Sequence, residues 1–185
     1  MRFIVTAGPT REHIDPVRFL SNPSTGRMGF AVARAARAAG HDVALVAGPV
    51  ALKTPPGVRR VDVVSARDML AAVLAELGGP RSRAAARLIR IGFAAETGAP
   101  DAEAARKCRE KGLDLVVGND VTRPDSGFGT TTNRVTFVTP DGCVQHLPLM
   151  SKLAVARRIV SFAESAVAGR PPYQPVAAKR KGANV

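Results

Sequence analysis

A serine- and glycine-rich stretch, Ser21-Asn22-Pro23-Ser24-Thr25-Gly26, stands directly before an amphipathic helix that apolar spacing predicts over residues 28–39. Ser24 or Thr25 is expected to cap that helix, because both side chains accept backbone N–H groups readily. The free N–H groups of a first helical turn, the helix dipole and the side chain of Arg27 together suit a phosphate or a carboxylate. The stretch therefore indicates an anion-binding site.

The element before this stretch fits the same interpretation. A short apolar run with β-branched residues at 2–6 predicts a buried strand, and a turn begins at Gly8. A strand, a glycine turn and a helix start, in that order, form the ligand end of a doubly wound α/β sheet. The loop holds neither G-x-G-x-x-G nor G-x-x-x-x-G-K-[ST]. Gly26 and Gly29 could therefore serve only close strand–helix packing in an ordinary surface loop, and this alternative stays open.

The rest of the chain alternates between strand and helix patterns. Strands are predicted at 41–47, 58–64, 88–94 and 113–117, a hairpin at 134–139 and 143–149, and further helices from Ser65 or Asp68 to 77, over 102–111 and over 152–168. This order predicts an α/β fold with a mostly parallel sheet, flanked by helices, and an antiparallel hairpin at one edge.

Three loops follow apolar strands directly, and ligands in such sheets bind past the carboxyl ends of the strands. They are 7–27, 93–97 and 118–120. We expect them to converge on one site. Each could instead be a turn with favourable hydrogen bonding.

The amino-acid composition limits the classes of protein to which the chain can belong. The chain has 185 residues, of which 45% are hydrophobic, enough for one domain with a sizeable core. Only 4% are aromatic, which disfavours stacking platforms for single-stranded nucleic acid. The formal charge of +12 is spread along the chain and is compatible with an anionic small-molecule substrate. The basic, proline-containing tail at 169–185 is predicted to be disordered, and we do not expect the protein to bind nucleic acid.

The chain shows no apolar run of membrane-spanning length and no signal peptide, so we expect a cytoplasmic protein without a membrane partner. Cys108 and Cys143 are isolated, and a reducing compartment disfavours a disulfide. The cysteines and the three histidines show no metal-ligand spacing.

Three motifs together resemble the phosphopantothenate–cysteine ligase family: VTAGPTREHIDPVRFLSNPSTGRMGF, GFAAET and VVGNDV. The resemblance covers roughly residues 1 to 167. In many bacteria this ligase is the carboxy-terminal half of a fused synthetase/decarboxylase of coenzyme A synthesis. The resemblance implies a Rossmann-like fold, a homodimer, and use of CTP and Mg²⁺. It also implies that 4′-phosphopantothenate is activated as an acyl-cytidylate that cysteine attacks, and that a phosphopantothenoylcysteine decarboxylase is a possible partner.

The resemblance also implies roles for single residues. Asn22 matches the asparagine that handles the acyl-cytidylate; otherwise it shapes the turn before Pro23. The implied cofactor-binding residues are Gly8, Ser24, Thr25, Gly26, Phe93, Ala94, Lys107, Lys111, Asn119, Asp120 and Phe128. Without the resemblance, Phe93 would be a core aromatic at a strand end, and Lys107 and Lys111 would belong to a solvated basic face.

The chain departs from the family between its second helix and GFAAET. A strand, an A-A-V-A-D run and a K-x-K-K run that hold the nucleotide in the family have no counterpart near residues 75–90. We therefore expect an internally shortened ligase-like domain at 1–168. The leading hypothesis is a ligase, and the alternative is a catalytically inactive nucleotide- or phosphopantothenate-binding or dimerisation module. The incomplete glycine fingerprint argues against a Rossmann-type dehydrogenase.

Overall fold

A computed structural model describes residues 1–78, 88–96, 100–120 and 129–170. Its strands are β1 (Arg2–Ala7), β2 (Glu12–His13), β3 (Phe19–Leu20), β4 (Asp42–Ala47), β5 (Arg59–Asp62), β6 (Ile91–Glu96), β7 (Leu115–Asp120), β8 (Thr132–Asn133), β9 (Val135–Val138), β10 (Val144–His146) and β11 (Met150–Ser151). Its helices are α1 (Arg27–Ala38), α2 (Ala66–Glu76), α3 (Pro100–Glu110) and α4 (Lys152–Val167). The predicted α/β class is confirmed.

The first sheet has the order β1-β4-β5 and is wholly parallel. In β4, every residue after Asp42 is buried, as expected of an apolar, β-branched strand covered on both faces. Strand β1 is less covered, and Phe3, Ile4 and Val5 are only half-buried. The first strand of the chain therefore lies at an edge of the described sheet.

The second sheet has the order β10-β9-β7-β6, with β6 and β7 parallel and the other neighbours antiparallel. The hairpin predicted around Pro140-Asp141-Gly142 is confirmed as β9 and β10. Instead of a single sheet, the described strands form two larger sheets, and β1 and β6 are edges.

One apolar core joins the two sheets. Helices α1 and α4 pack against each other, and their buried faces share a cluster with side chains of β4, β7 and β9, including Leu45, Val117 and Phe137. The sheets are thus held together through these two helices.

Helix α2 behaves differently, because none of its residues is buried. It is held by polar groups: the Ser65 side chain accepts the Asp68 N–H at 3.1 Å, and the Asp68 side chain accepts the Ser65 N–H at 2.9 Å. Ser65 was one of the two predicted starts and is confirmed. Ser151 caps α4, since its Oγ accepts the Ala154 N–H.

Some predictions concern residues that the structure does not describe. The tail beyond Arg170 lies outside the described residues, as does most of the shortened region near 75–90.

Strands β2 and β3 form a two-stranded pair that the sequence did not predict. In the described ranges, no helix combines the length and hydropathy needed to cross a membrane.

Candidate active site at the start of the first helix

The turns that follow β1 and precede α1 meet at two glycines. A Cβ atom added to Gly26 would lie 3.4 Å from the backbone nitrogen of Gly8, and both residues have positive φ, 81° at Gly8 and 74° at Gly26. Val50 closes the other side, with its Cγ1 atom 2.9 Å from the position of a Cβ on Gly8. The structure therefore brings the predicted residues Gly8 and Gly26 together.

The predicted cap of this helix is wrong. Neither Ser24 nor Thr25 caps α1; the N-cap residue is Gly26, whose left-handed conformation suits glycine. The Ser24 hydroxyl instead accepts the Gly26 N–H at 3.4 Å, and no side chain in the described part of the chain caps the helix. The first-turn N–H groups are thus not occupied by a cap, which favours the anion-binding interpretation.

Asn22 lies exposed in the turn before the helix. Its Oδ1 atom accepts the backbone N–H of Ser24 at 3.0 Å, so the side chain does shape this turn. The same bond fixes the orientation of the amide and leaves its Nδ2 hydrogens for another acceptor. Turn shaping and donation to a ligand are therefore compatible at Asn22.

Close packing at glycines holds the two loops at this end of the sheet. A Cβ on Gly29 would lie 2.5 Å from the Cβ of Ala7, so Gly29 lets α1 approach β1, as the packing alternative proposed. A Cβ on Gly48 would lie 1.8 Å from the carbonyl oxygen of Pro9. The loop after β4 therefore crosses directly against the loop after β1.

The second sheet presents the remaining predicted residues. Ala94 is buried and pairs with Gly118, whereas Phe93 has 51% of its surface exposed, so it is not a core aromatic. Asn119 is half-buried at the carboxyl end of β7, and Asp120 ends that strand opposite Glu96. Phe128 lies outside the described residues.

A short chain of contacts places the end of β7 near the start of α1. Asn119 pairs with Val135 on β9, and Asn133, two residues earlier, contacts Met28 through its Nδ2 atom, 3.7 Å from the Met28 sulfur. The carboxyl end of β7 and the first turn of α1 therefore lie at the same end of the molecule, as the three-loop prediction requires.

Lys107 and Lys111 lie elsewhere. They are one helical turn apart, since the Lys111 N–H donates to the Lys107 carbonyl at 3.1 Å, but Lys111 follows the last residue of α3. After α3 the chain passes beside the start of β6, where the Asp114 N–H donates to the Arg90 carbonyl, and then enters β7. Lys111 is thus placed at the amino end of β6, away from Asn119. The structure does not bring the two lysines to the glycine turns, and their CTP contact stays a prediction.

A cleft between α1 and α4, here the α1–α4 cleft, opens beside the helix start. Arg27, Arg34, Thr131 and Lys152 line it. Lys152 is buried, and this burial lowers the pKa of its ammonium group, with a further lowering from the positive charge of Arg27. An anion in the α1–α4 cleft would offset that repulsion. The sequence pointed to Arg27 but not to Arg34, although their seven-residue spacing puts both on one helical face.

Side chains that could hold a metal ion do not cluster in the described part of the chain. The described residues contain no group of three or more histidine, cysteine or acidic side chains that could hold an ion.

Comparison with known proteins identifies the family. The family model described as "DNA/pantothenate metabolism flavoprotein C-terminal domain" matches residues 1–86 and 73–166. The chain belongs to this family. Its predicted resemblance to phosphopantothenate–cysteine ligases is thereby confirmed.

Curated relatives agree with the family. The chain is 38% identical to the "Coenzyme A biosynthesis bifunctional protein CoaBC" of Bacillus subtilis, with 85% of this chain aligned to 49% of that protein. It is 36% identical to the protein of the same name from Vibrio vulnificus, with 85% of this chain and 50% of that protein aligned. The chain thus spans about half the length of the curated relatives it matches.

Solved structures confirm the fold. The crystal structure of the C-terminal domain of a CoaBC protein superposes with a TM-score of 0.78 at 38% identity, covering 91% of this chain and 98% of that one. A Cab2 mutant in complex with phosphopantothenate-cysteine has the same fold, with a TM-score of 0.66, 13% identity, and coverage of 91% of this chain and 87% of that one.

Proposed function

We propose that this chain is a phosphopantothenate–cysteine ligase of coenzyme A synthesis. A carboxylate oxygen of 4′-phosphopantothenate attacks the α-phosphorus of CTP, and pyrophosphate leaves. The amine of cysteine then attacks the acyl carbon, CMP leaves with the carbonyl–oxygen bond pair, and the nitrogen loses a proton. The observation that carries the proposal is the uncapped first turn of α1 beside Gly8 and Asn22, in a chain of this family.

Asn22 supplies the donor for the second step. Attack on the acyl carbon produces an oxyanion, and a preorganised N–H group stabilises it. The bond from the Ser24 N–H to Asn22 Oδ1 fixes the amide before substrate arrives, so Nδ2 is the end of the side chain that faces a ligand. The uncapped N–H groups of α1 and Arg27 bind a phosphate of the acyl-cytidylate or of CTP. Mg²⁺ accompanies the nucleotide as part of that substrate.

A homodimer is part of the proposal, supported by an apolar surface on the β2–β3 hairpin. Ile14, Val17, Phe19 and Leu20 are exposed, and Val17 keeps 85% of its surface. The hairpin is itself ordered, since Asp15 accepts the backbone N–H groups of Val17 and Arg18. An ordered hairpin that exposes four large apolar side chains is typical of a protein interface. A decarboxylase partner, fused or separate, is proposed because the relatives are named bifunctional.

The internal shortening is also a proposal, and alignment lengths support it. The alignment with the Bacillus subtilis protein runs over 204 residues but uses 85% of the 185 residues here, or about 157, so about 47 aligned positions have no counterpart in this chain. The family model also matches in two overlapping pieces that meet at 73–86. We place the missing positions there.

The second candidate function is an inactive nucleotide- or phosphopantothenate-binding or dimerisation module. The observation that favours it is the edge position of β1 and β6, since the family's nucleotide-binding strand would lie between them. Such a module would keep the anion site at α1 and lose the far wall of the CTP site.

The Asn22→Asp variant tests the proposed mechanism. Aspartate keeps an oxygen that accepts the Ser24 N–H, so the turn is retained, but it offers no donor to an oxyanion. We expect amide formation from cysteine to fall by at least about 100-fold while 4′-phosphopantothenate still binds. Product formation followed by mass spectrometry and binding by calorimetry would be measured on the same preparations. Unchanged turnover would remove Asn22 from the mechanism.

A further inference from the structure

A second cleft borders α1 and shares Arg27, Ala31 and Arg34 with the α1–α4 cleft. It has a volume of about 350 Å³ and lies between α1 and the loop after β4; we call it the α1–loop cleft. Its floor is apolar, formed by Phe30, Leu52 and Pro55, and its rim carries Arg27, Arg34 and Lys53. An apolar floor with a charged rim is the usual composition of a small-molecule site.

The rim cations lack counter-charges in the described structure. Other basic side chains pair with carboxylates, as Arg59 does with Glu76 and Arg106 with Glu103. Among the described residues, no carboxylate lines the α1–loop cleft or pairs with Arg34 or Lys53. Three cations, Arg27, Arg34 and Lys53, line one concave surface without an anion and create a positive potential there, which favours an anionic ligand.

Arg60 makes the floor rigid. Its Nη1 atom donates to the Leu52 carbonyl at 2.9 Å, and its guanidinium lies over the Phe30 ring, 5.4 Å from the centroid. The Asp62 Oδ1 atom lies 2.6 Å from the Arg60 Nη2 atom and neutralises the guanidinium charge. The loop is also closed by a bond from the Val58 N–H to the Pro55 carbonyl at 3.2 Å. The floor is therefore in place before a ligand arrives, which reduces the entropy lost on binding.

We propose that the α1–loop cleft binds an organic phosphate, with Arg34 and Lys53 contacting the phosphate and the Phe30–Leu52 floor taking the carbon body. Arg34 lies two helical turns, roughly 10 Å, beyond Arg27, so the phosphate position at Arg34 and Lys53 differs from the one at the helix start, although Arg27 lines this cleft as well. Arg60 is a positioning residue, because its charge is already paired. The inference does not depend on ligase activity.

Binding of phenyl phosphate and of inorganic phosphate to the full 185-residue chain tests the proposal, by amide NMR at constant ionic strength. Phenyl phosphate should give saturable shifts at Arg34 and over 52–54, with an affinity at least about threefold above that of inorganic phosphate, because its ring covers the apolar floor. Arg34→Gln combined with Lys53→Gln should weaken binding at least about tenfold.

Arg157→Gln with Arg158→Gln is the matched control, since these exposed arginines on α4 lie outside the cleft and their loss changes the net charge equally. This control and Asn22→Asp should leave phenyl phosphate binding unchanged, which separates the site from the ligase mechanism. Equal weakening by the control pair, shifts confined to Arg27 and Met28, or equal affinity for the two phosphates would each overturn the proposal.

Discussion

Helices α1 and α2 contact the same first sheet but are covered to very different extents. Six residues of α1 are buried, from Phe30 to Ala36, in a cluster that also contains Val43 and Leu45 of β4. Helix α2 contacts β4 and β1, yet it buries no residue, and Leu70 and Leu74 keep 60% and 47% of their surface exposed. Ala44 and Val46 of β4 are buried as well, so the difference lies in the helices: α1 also packs against α4, whereas α2 has no comparable contact with another described helix.

We propose that the exposed side chains mark where the family's additional strand would lie. Phe93 on β6 and Leu88 before it are about half exposed, as are the two leucines of α2. In a domain of this size, such side chains normally contact a neighbouring element. The anion site lies at the start of α1, where packing is dense. The proposed ligase site therefore has one well-packed wall at α1 and an open side beside β6.

The largest expected effect comes from breaking the packed face. Phe30→Ala removes a buried ring from α1 and should lower the free energy of unfolding by about 3 kcal/mol. Urea unfolding monitored by circular dichroism would measure it. A loss below about 1 kcal/mol would mean that the core beneath α1 is loosely packed, which would contradict the difference drawn between α1 and α2.

On the open face, the helix cap should matter more than any apolar side chain. Ser65→Ala removes the acceptor of the Asp68 N–H and should cost about 1 kcal/mol. Ser65→Asp, which keeps an acceptor, is the control and should retain most of the stability. If both variants unfold alike in urea, the capping box does not hold α2.

A pH profile should reveal the ionic attachment of α2. Glu76 pairs with Arg59 and with Arg2, and the Arg59 hydrogen bond is the main cause of its lowered pKa. Because the pKa is lower in the folded state, the stabilisation is present above the unfolded value of about 4.5 and is lost as pH falls through the folded value. Glu76→Gln should therefore flatten the stability profile below about pH 4.5. An unchanged slope would contradict the attachment.

The smallest effect is expected at Leu74. Leu74→Ala should change stability by no more than about 0.5 kcal/mol, since the side chain is half exposed. The matched comparison is Phe30→Ala on the other face. A loss above about 2 kcal/mol at Leu74 would show that another part of the chain covers α2.

Elements with strong local signals were predictable from the sequence. Ser65 as one of two possible starts of α2, the Pro140-Asp141-Gly142 turn and a last helix over 152–168 were all predicted and are present. The division into two sheets was not predicted, because it depends on which strands are neighbours, and local patterns do not specify that.

The candidate site was predictable only in part. Gly8 and Gly26 were identified because turns and helix starts leave a pattern in the sequence, although the cap was assigned to Ser24 or Thr25 when Gly26 occupies that position. The α1–loop cleft was missed, because Arg34 and Lys53 are distant in sequence and meet only through the packing of α1 against the loop after β4.

The measurement that tests the central claim most directly is pyrophosphate release from CTP by the 185-residue chain with Mg²⁺, 4′-phosphopantothenate and cysteine. A ligase predicts release that requires 4′-phosphopantothenate, with one amide formed per pyrophosphate. Absence of release from a folded chain that still binds 4′-phosphopantothenate would contradict the ligase proposal and favour the inactive binding module.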